Sequence, residues 1–160
     1  MSDFLIAHVD ILPAGPQSWP WMLDCFRDQI GRVDGGPSQL ASMQTAALAR
    51  ILRAGVGTAV IVAPKGSTEE MGWAVAVNGA LLFLYVRAVF RRQGIGAHLA
   101  CAVTRGAPIG VAYWTPEAAA IAAHGFPLHY SIDAYRTLLS FAREQRQPKK
   151  GIHEATGSLF

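Results

Sequence analysis

At 160 residues, 51% of them apolar, the chain is long enough for one domain with its own core and too apolar for general disorder. No apolar run reaches the roughly 20 residues that span a bilayer. The longest candidate, Met71 to Val86, is split by Asn78-Gly79, and no basic segment leads into an apolar one at the N-terminus, so a cytoplasmic protein with no membrane association is expected. A net charge of +3 suits an anionic small ligand and is too mild to argue for nucleic acid by itself.

Phe4 to Leu12 alternates weakly and reads as a first strand, stopped by Pro13-Ala14-Gly15-Pro16. Ser18 to Ile30 follows as a helix with Pro20 in its first turn, and Gly35-Gly36-Pro37 as a loop. Ser38 then reads as the N-cap of a helix to about Arg53, with Leu40, Met43, Ala47, Leu48, Ile51 and Leu52 on one face. Thr58 to Ala63 is a β-branched strand and Pro64 to Glu69 a polar turn. Met71–Val77 and Ala80–Val86 flank Asn78-Gly79, whose residues tolerate the positive φ of a type I′ turn, so they predict a tight hairpin. The second of these strands is apolar at nearly every position, as expected where both faces are covered.

Gly94 to Thr104 predicts a helix, and Pro108 to Tyr113 a strand. Thr115-Pro116-Glu117 combines a cap, a first-position proline and a first-turn acid, which marks the start of a helix that ends at Gly125. Leu128 to Ser131 reads as a short strand. Ile132, Tyr135, Leu138, Leu139 and Ala142 mark an amphipathic helix over Asp133 to Arg146. The predicted architecture is α/β, a single domain over residues 1–147 with a mixed sheet flanked by helices and a helical C-terminus, followed by a polar, flexible tail over 148–160.

The most informative stretch runs from Leu81 to Gly96. An apolar strand passes into the basic loop Arg91-Arg92-Gln93, and Gly94-Ile95-Gly96 opens an Ala/Leu/Val-rich helix. The first turn of a helix carries N–H groups without intrahelical partners and the positive end of the dipole, and glycines let an anion approach the main chain. A dinucleotide fingerprint fits less well, because Gly94-x-Gly96-x-x-Leu99 is bulky at the third small position.

Val86-x-x-x-x-Arg91-x-x-Gly94-x-Gly96 resembles the acetyl-CoA signature of the GNAT acyltransferases, and the element order through the fourth helix is similar to theirs. A weaker similarity lies in the helix ending at Gly125-Phe126. The resemblance covers about Phe4 to Ser131 and implies a GNAT-like fold that transfers an acetyl or other acyl group from acyl-CoA to an unidentified amine. The resemblance implies that Val86, Arg91, Arg92, Gln93, Gly94, Ile95 and Gly96 bind the cofactor, with the loop amides holding its pyrophosphate and Arg91 and Arg92 adding charge.

The chain departs from the family pattern at three places. Ile121 stands where many members carry a Tyr acid, Ala80 stands where some carry a Glu base, and the end of the chain turns helical at Asp133 where a hairpin is usual. Tyr113 is the first substitute for the acid and Tyr85 the second, each with a packing role as the alternative. Direct attack by an amine needs positioning more than covalent chemistry, so the substitutions are compatible with transfer.

The two cysteines match no metal spacing and read as reduced, buried thiols, and the five histidines form no metal set. Trp19 and Trp21 either border the acceptor or pack in the core. Arg136, Arg143, Arg146, Lys149 and Lys150 make the C-terminal end basic, which leaves a nucleic-acid contact open. The alternative function is therefore a GNAT-derived binding or DNA-modifying protein of the phage Mom type. A homodimer also stays open.

Overall fold

The computed structural model describes residues 7–33, 38–105 and 109–143. The Gly35-Gly36-Pro37 loop, the predicted tail, and Arg146, Lys149 and Lys150 lie outside these residues.

One six-stranded sheet has its strands in chain order: β1 (Val9–Pro13), β2 (Thr58–Pro64), β3 (Gly72–Val77), β4 (Ala80–Val86), β5 (Ile109–Val111) and β6 (Leu128–Tyr130). The first four are antiparallel, and β4, β5 and β6 run parallel to one another. The parallel joins are crossovers through helices, as parallel strands require. Helix α1 (Trp19–Val33) and α2 (Ser38–Ala54) precede β2; α3 (Ile95–Thr104) joins β4 to β5, α4 (Pro116–Ala123) joins β5 to β6, and α5 (Ile132–Arg143) follows.

Each face of the sheet buries its own core. Leu84 and Val86 of β4 and Ile109 and Val111 of β5 pack with Ile95, Leu99 and Val103 of α3 and Ala118 of α4. On the other face, Trp73, Val75 and Phe83 pack with Met22, Phe26 and Ile30 of α1, Leu48 and Ile51 of α2, and Ala134 and Leu138 of α5. The result is one open mixed sheet covered by helices on both sides, a single domain. Both faces of the β3–β4 hairpin are thus covered, which is why these strands read as continuous apolar runs.

The hairpin turns at Asn78 (φ 50°) and Gly79 (φ 78°), both in the left-handed region that its type I′ geometry demands. Helix α4 begins as its sequence predicts: Thr115 accepts a hydrogen bond from the Ala118 amide at 3.1 Å, and Pro116 occupies the first turn.

Several expectations need correction. Of the strand expected over Phe4 to Leu12, residues 4–6 lie outside the described residues and Ala7 and His8 form a turn; β1 begins at Val9 and keeps Pro13 because it is an edge strand where a missing N–H costs no ladder bond. Met43 is exposed, and the inward position beside it is taken by Gln44, which is fully buried. The strand predicted to reach Tyr113 ends at Val111. Cys101 is exposed and Cys25 half-buried, so neither is a core thiol. Burial pushes the Cys25 thiol above its ordinary value of 9.0.

The helix expected over Asp133 to Arg146 is present as α5 from Ile132 to Arg143, residues 144–146 lying outside the described residues, and it docks through Ala134, Tyr135, Leu138, Phe141 and Ala142. Leu139, expected in that contact, is only partly covered.

Candidate functional site

The site begins with an irregularity in β4. Val75 pairs with Phe83, but Ala76 pairs with Leu81, so Leu82 is an extra residue in the strand. Such a bulge bends its strand and increases the local twist. Leu82 and Phe83, adjacent in sequence, consequently both enter the core under α1 and α2.

Strand β5 meets β4 at only one register position, Leu81 opposite Val111, closed by the Ala112 amide donating to Leu81 O at 3.0 Å. Beyond it β4 continues five residues to Val86, while the chain after Val111 bends away. The two parallel strands therefore splay into a wedge that opens at the C-terminal end of β4.

Past Leu81 the main chain on that side of β4 has no strand partner, and Arg91 Nε takes the Val86 carbonyl. The Arg87 amide donates to Met71 O at 2.9 Å, and antiparallel alternation then turns Tyr85 and Phe83 toward β3. The main-chain groups of Leu84 and Val86 face the side from which β5 has diverged. The wedge is lined by Leu84, Val111, Tyr113, Thr115, Ala118 and Ile121 among others, and its free space is about 10 Å³, near the room one water needs. It is narrow because Ile121 and Leu84 close on Gly96: a Cβ built at Gly96 would lie 2.9 Å from Ile121 Cδ1.

At the mouth of the wedge, Ala88–Phe90 form a single 3-10 turn. Arg92 (φ 63°) and Gly94 (φ 81°) then take left-handed conformations, which for a non-glycine residue costs about 1–2 kcal/mol. Gly94 is the N-cap of α3 and has no side-chain cap. The first helical bond runs from the His98 amide to Gly94 O at 3.0 Å, so the amides of Ile95, Gly96 and Ala97 precede the helical ladder. Three amides outside the helical ladder, a dipole end and the exposed Arg92 thus lie within one short stretch of chain. Gln93 donates to Val89 O at 3.3 Å, which ties the loop to the turn before it, and the Ile95 side chain is buried in the core.

Arg91 does a different job. Its Nε donates to Val86 O at 2.8 Å, its guanidinium lies 5.8 Å from the centre of the Tyr85 ring, and its Nη1 stands 3.2 Å from Glu117 Oε1 on α4. It bridges the two walls of the wedge with its charge already matched. Glu117, read from sequence only as a first-turn acid, is its partner.

The two tyrosines proposed as acids occupy different settings. Tyr113 is buried, its hydroxyl donates to Gln44 Oε1 at 2.7 Å, and Gln44 Nε2 donates to Tyr135 Oη at 2.9 Å. That proton is held in the core under α1, α2 and α5. The Tyr85 ring is half-buried, meets Trp21 edge-on with centroids 6.2 Å apart, and lies at the open end of β4. Ile121 lines the wedge, so its position faces the site and its side chain brings no proton. Ala80 is at the far end of β4, six residues from Val86, and brings no base.

Trp21 belongs to the mouth, with the Arg87 guanidinium 4.9 Å from its ring centre, whereas Trp19 donates to Ala14 O at 3.4 Å. Sequence reasoning missed Arg87, Gln44 and Glu117. A lone glutamine on an apolar helix face was the available signal for Gln44; nothing local marks Arg87.

Among the described residues, no cluster of His, Cys, Asp and Glu could hold a metal, and no helix is long and apolar enough to cross a membrane. No family model, curated protein or solved structure matches the chain.

Proposed function

We propose that the chain is an acyltransferase of the GNAT type that moves an acyl group, acetyl in the simplest case, from acyl-CoA to an amine. The observation that carries the reading is the wedge: β4 and β5 part after one paired residue, directly before a glycine loop that ends at an uncapped helix N-terminus. An extended chain bearing amides and a pyrophosphate at one end matches both halves of this arrangement. The open edge at Leu84 offers strand-like hydrogen bonds to the arm, while the Val86 carbonyl is already taken by Arg91. The amides of Ile95 to Ala97, with Arg92, offer an anion cradle.

The thioester supplies an electrophilic carbonyl carbon and a thiolate leaving group, so transfer forms a C–N bond, breaks the C–S bond, and moves one proton from nitrogen to solvent and one onto sulfur. The chain's own part is chiefly positioning, worth about 7–11 kcal/mol where alignment is good. Tyr85 is the proposed proton donor to sulfur, in preference to Tyr113, because Tyr113 gives its proton to Gln44. Water takes the amine proton, since the described wall of the wedge carries no carboxylate except Glu117, which is paired with Arg91.

The test is release of free CoA thiol from acetyl-CoA in the presence of a panel of primary amines, with the acylated amine identified by mass. Amine-dependent release supports the reading. Release at the same slow rate with and without amine, at saturating acetyl-CoA, overturns it.

A further inference from the structure

We propose that Arg87 is the receptor for a carboxylate on the acceptor, so that the amine acylated here is a small amino acid or related amino-carboxylate. This deepens the acyltransferase reading and rests on it for the acceptor's amine.

Three features of Arg87 lead to this. First, it is a cation without a counter-charge: among the described residues the arginines within 4 Å of a carboxylate are Arg32, Arg91 and Arg136. Second, part of its guanidinium is out of water with nothing in return. Its Nε is buried and makes no hydrogen bond. A buried donor left unmatched is costly, and such a group in a folded protein calls for a partner. Third, the group is held in place. The Arg87 amide is tied to Met71 O, the residue heads the 3-10 turn, and the guanidinium lies over Trp21, which also meets the Tyr85 ring edge-to-face. Contact with the ring limits where the guanidinium can sit, and a guanidinium fork suits a planar carboxylate.

Location decides what that carboxylate belongs to. Arg87 is the first residue beyond β4, and the residues that share its face, Tyr85 and Phe83, pack toward α1. Leu84 and Val86 pack on the opposite face, toward α3 and the glycine loop. Arg91 cannot serve in its place because Glu117 and Val86 O occupy it. A ligand held by Arg87 therefore enters from the α1 side, opposite the phosphate cradle. It has an aromatic wall of Trp21 and Tyr85 beside it, and it can reach the open edge of β4 from there.

The experiment compares amines that differ only in the anion: phenylalanine against phenylalaninamide, and 6-aminohexanoate against 6-aminohexanamide, spanning short and long separations. Binding is measured by calorimetry without cofactor, and turnover separately with acetyl-CoA. For at least one pair the wild type should favour the acid by roughly 10–100-fold, as expected for a charge-assisted fork. Arg87→Gln should bring that ratio to about one without lowering the melting shift caused by CoA, and Arg87→Lys should restore part of it. If acid and amide bind alike in the wild type, if neither binds, or if Arg87→Gln keeps the preference, the assignment is overturned. Acids that bind through Arg87 while acetyl-CoA is never consumed would sink the transferase reading and leave this site standing. Turnover of acids and amides alike would do the reverse.

Discussion

Tyr85 and Tyr113 share a side chain and differ in what the fold has done with its proton. The Tyr113 hydroxyl closes a chain with Gln44 and Tyr135 that joins the end of β5 to α2 and α5. Removing it leaves the Gln44 Oε1 acceptor buried and short of a donor, a loss of about 1–3 kcal/mol. Tyr113→Phe should accordingly lower stability by that amount, read from chemical denaturation, and leave kcat for acyl transfer within a few-fold of the wild type. Tyr85→Phe should do the opposite. Its hydroxyl contributes no hydrogen bond within the described residues, so stability should hold. The loss of a proton donor should reduce kcat by about 10²–10⁴-fold. A large drop in kcat for Tyr113→Phe with Tyr85→Phe unaffected would restore the order suggested by sequence alone.

At the scale of elements, two helices carry testable weight. Helix α5 covers the sheet face beside α2. Leu138 is fully buried there, Tyr135 closes the Gln44 chain, and Arg50 on α2 bonds the Phe141 carbonyl. Leu138→Ala should cost about 2–5 kcal/mol, and truncation after Ser131 should unfold or strongly destabilise the domain. An unchanged melting point would mean that α5 is an appendage. Helix α4 supplies one wall of the wedge. Its Ile121 lies against Gly96 and narrows the wedge in which the proposed acyl-CoA arm would lie. Ile121→Ala should therefore lower the stability of the free protein and tighten CoA binding, since less of the wall must be displaced. Weaker binding of CoA by that variant would show that Ile121 is a contact and not an obstruction.

Why some of this could be read from sequence and some could not follows from the range of the forces involved. The hairpin, the α4 start and the helix after the glycine loop are set by neighbours in the chain: positive φ at Asn78 and Gly79, the Thr115 cap, the Gly94 N-cap. They were legible. The amphipathic α5 was legible in place, though the contact of Leu139 was not. The wedge depends on a bulge at Leu82 and on β5 stopping at Val111, both decided by pairing between distant segments. The Arg91–Glu117 bridge and the Arg87–Trp21 stack join residues 26 and 66 positions apart in number, and no local pattern announces them.

For the whole molecule, the decisive question is whether the basic loop binds CoA at all. Binding to the folded state alone stabilises by about 2.7 kcal/mol when ligand is one hundred times its dissociation constant. In a domain of this size each kcal/mol moves the melting point by roughly 2–4 °C, so saturating CoA should raise it by about 5–10 °C. The choice of variant matters. Gly94 has φ 81° and Gly96 lies against Ile121, so replacing either strains the free protein and confuses the reading. Arg91 is also poor, because it braces the wedge through Glu117 and Val86. Arg92 is exposed and, among the described residues, without an ion pair, so Arg92→Glu should leave the free protein's melting point nearly unchanged. It puts a negative charge beside the open amides and should remove most of the CoA shift. Raising the salt should shrink the wild-type shift as well, since part of the attraction is screened over a Debye length of about 8–10 Å. If CoA and acetyl-CoA at millimolar concentration leave the wild-type melting point where it was, the loop is a turn and the transferase reading fails. A shift produced instead by double-stranded DNA would favour the DNA-modifying alternative.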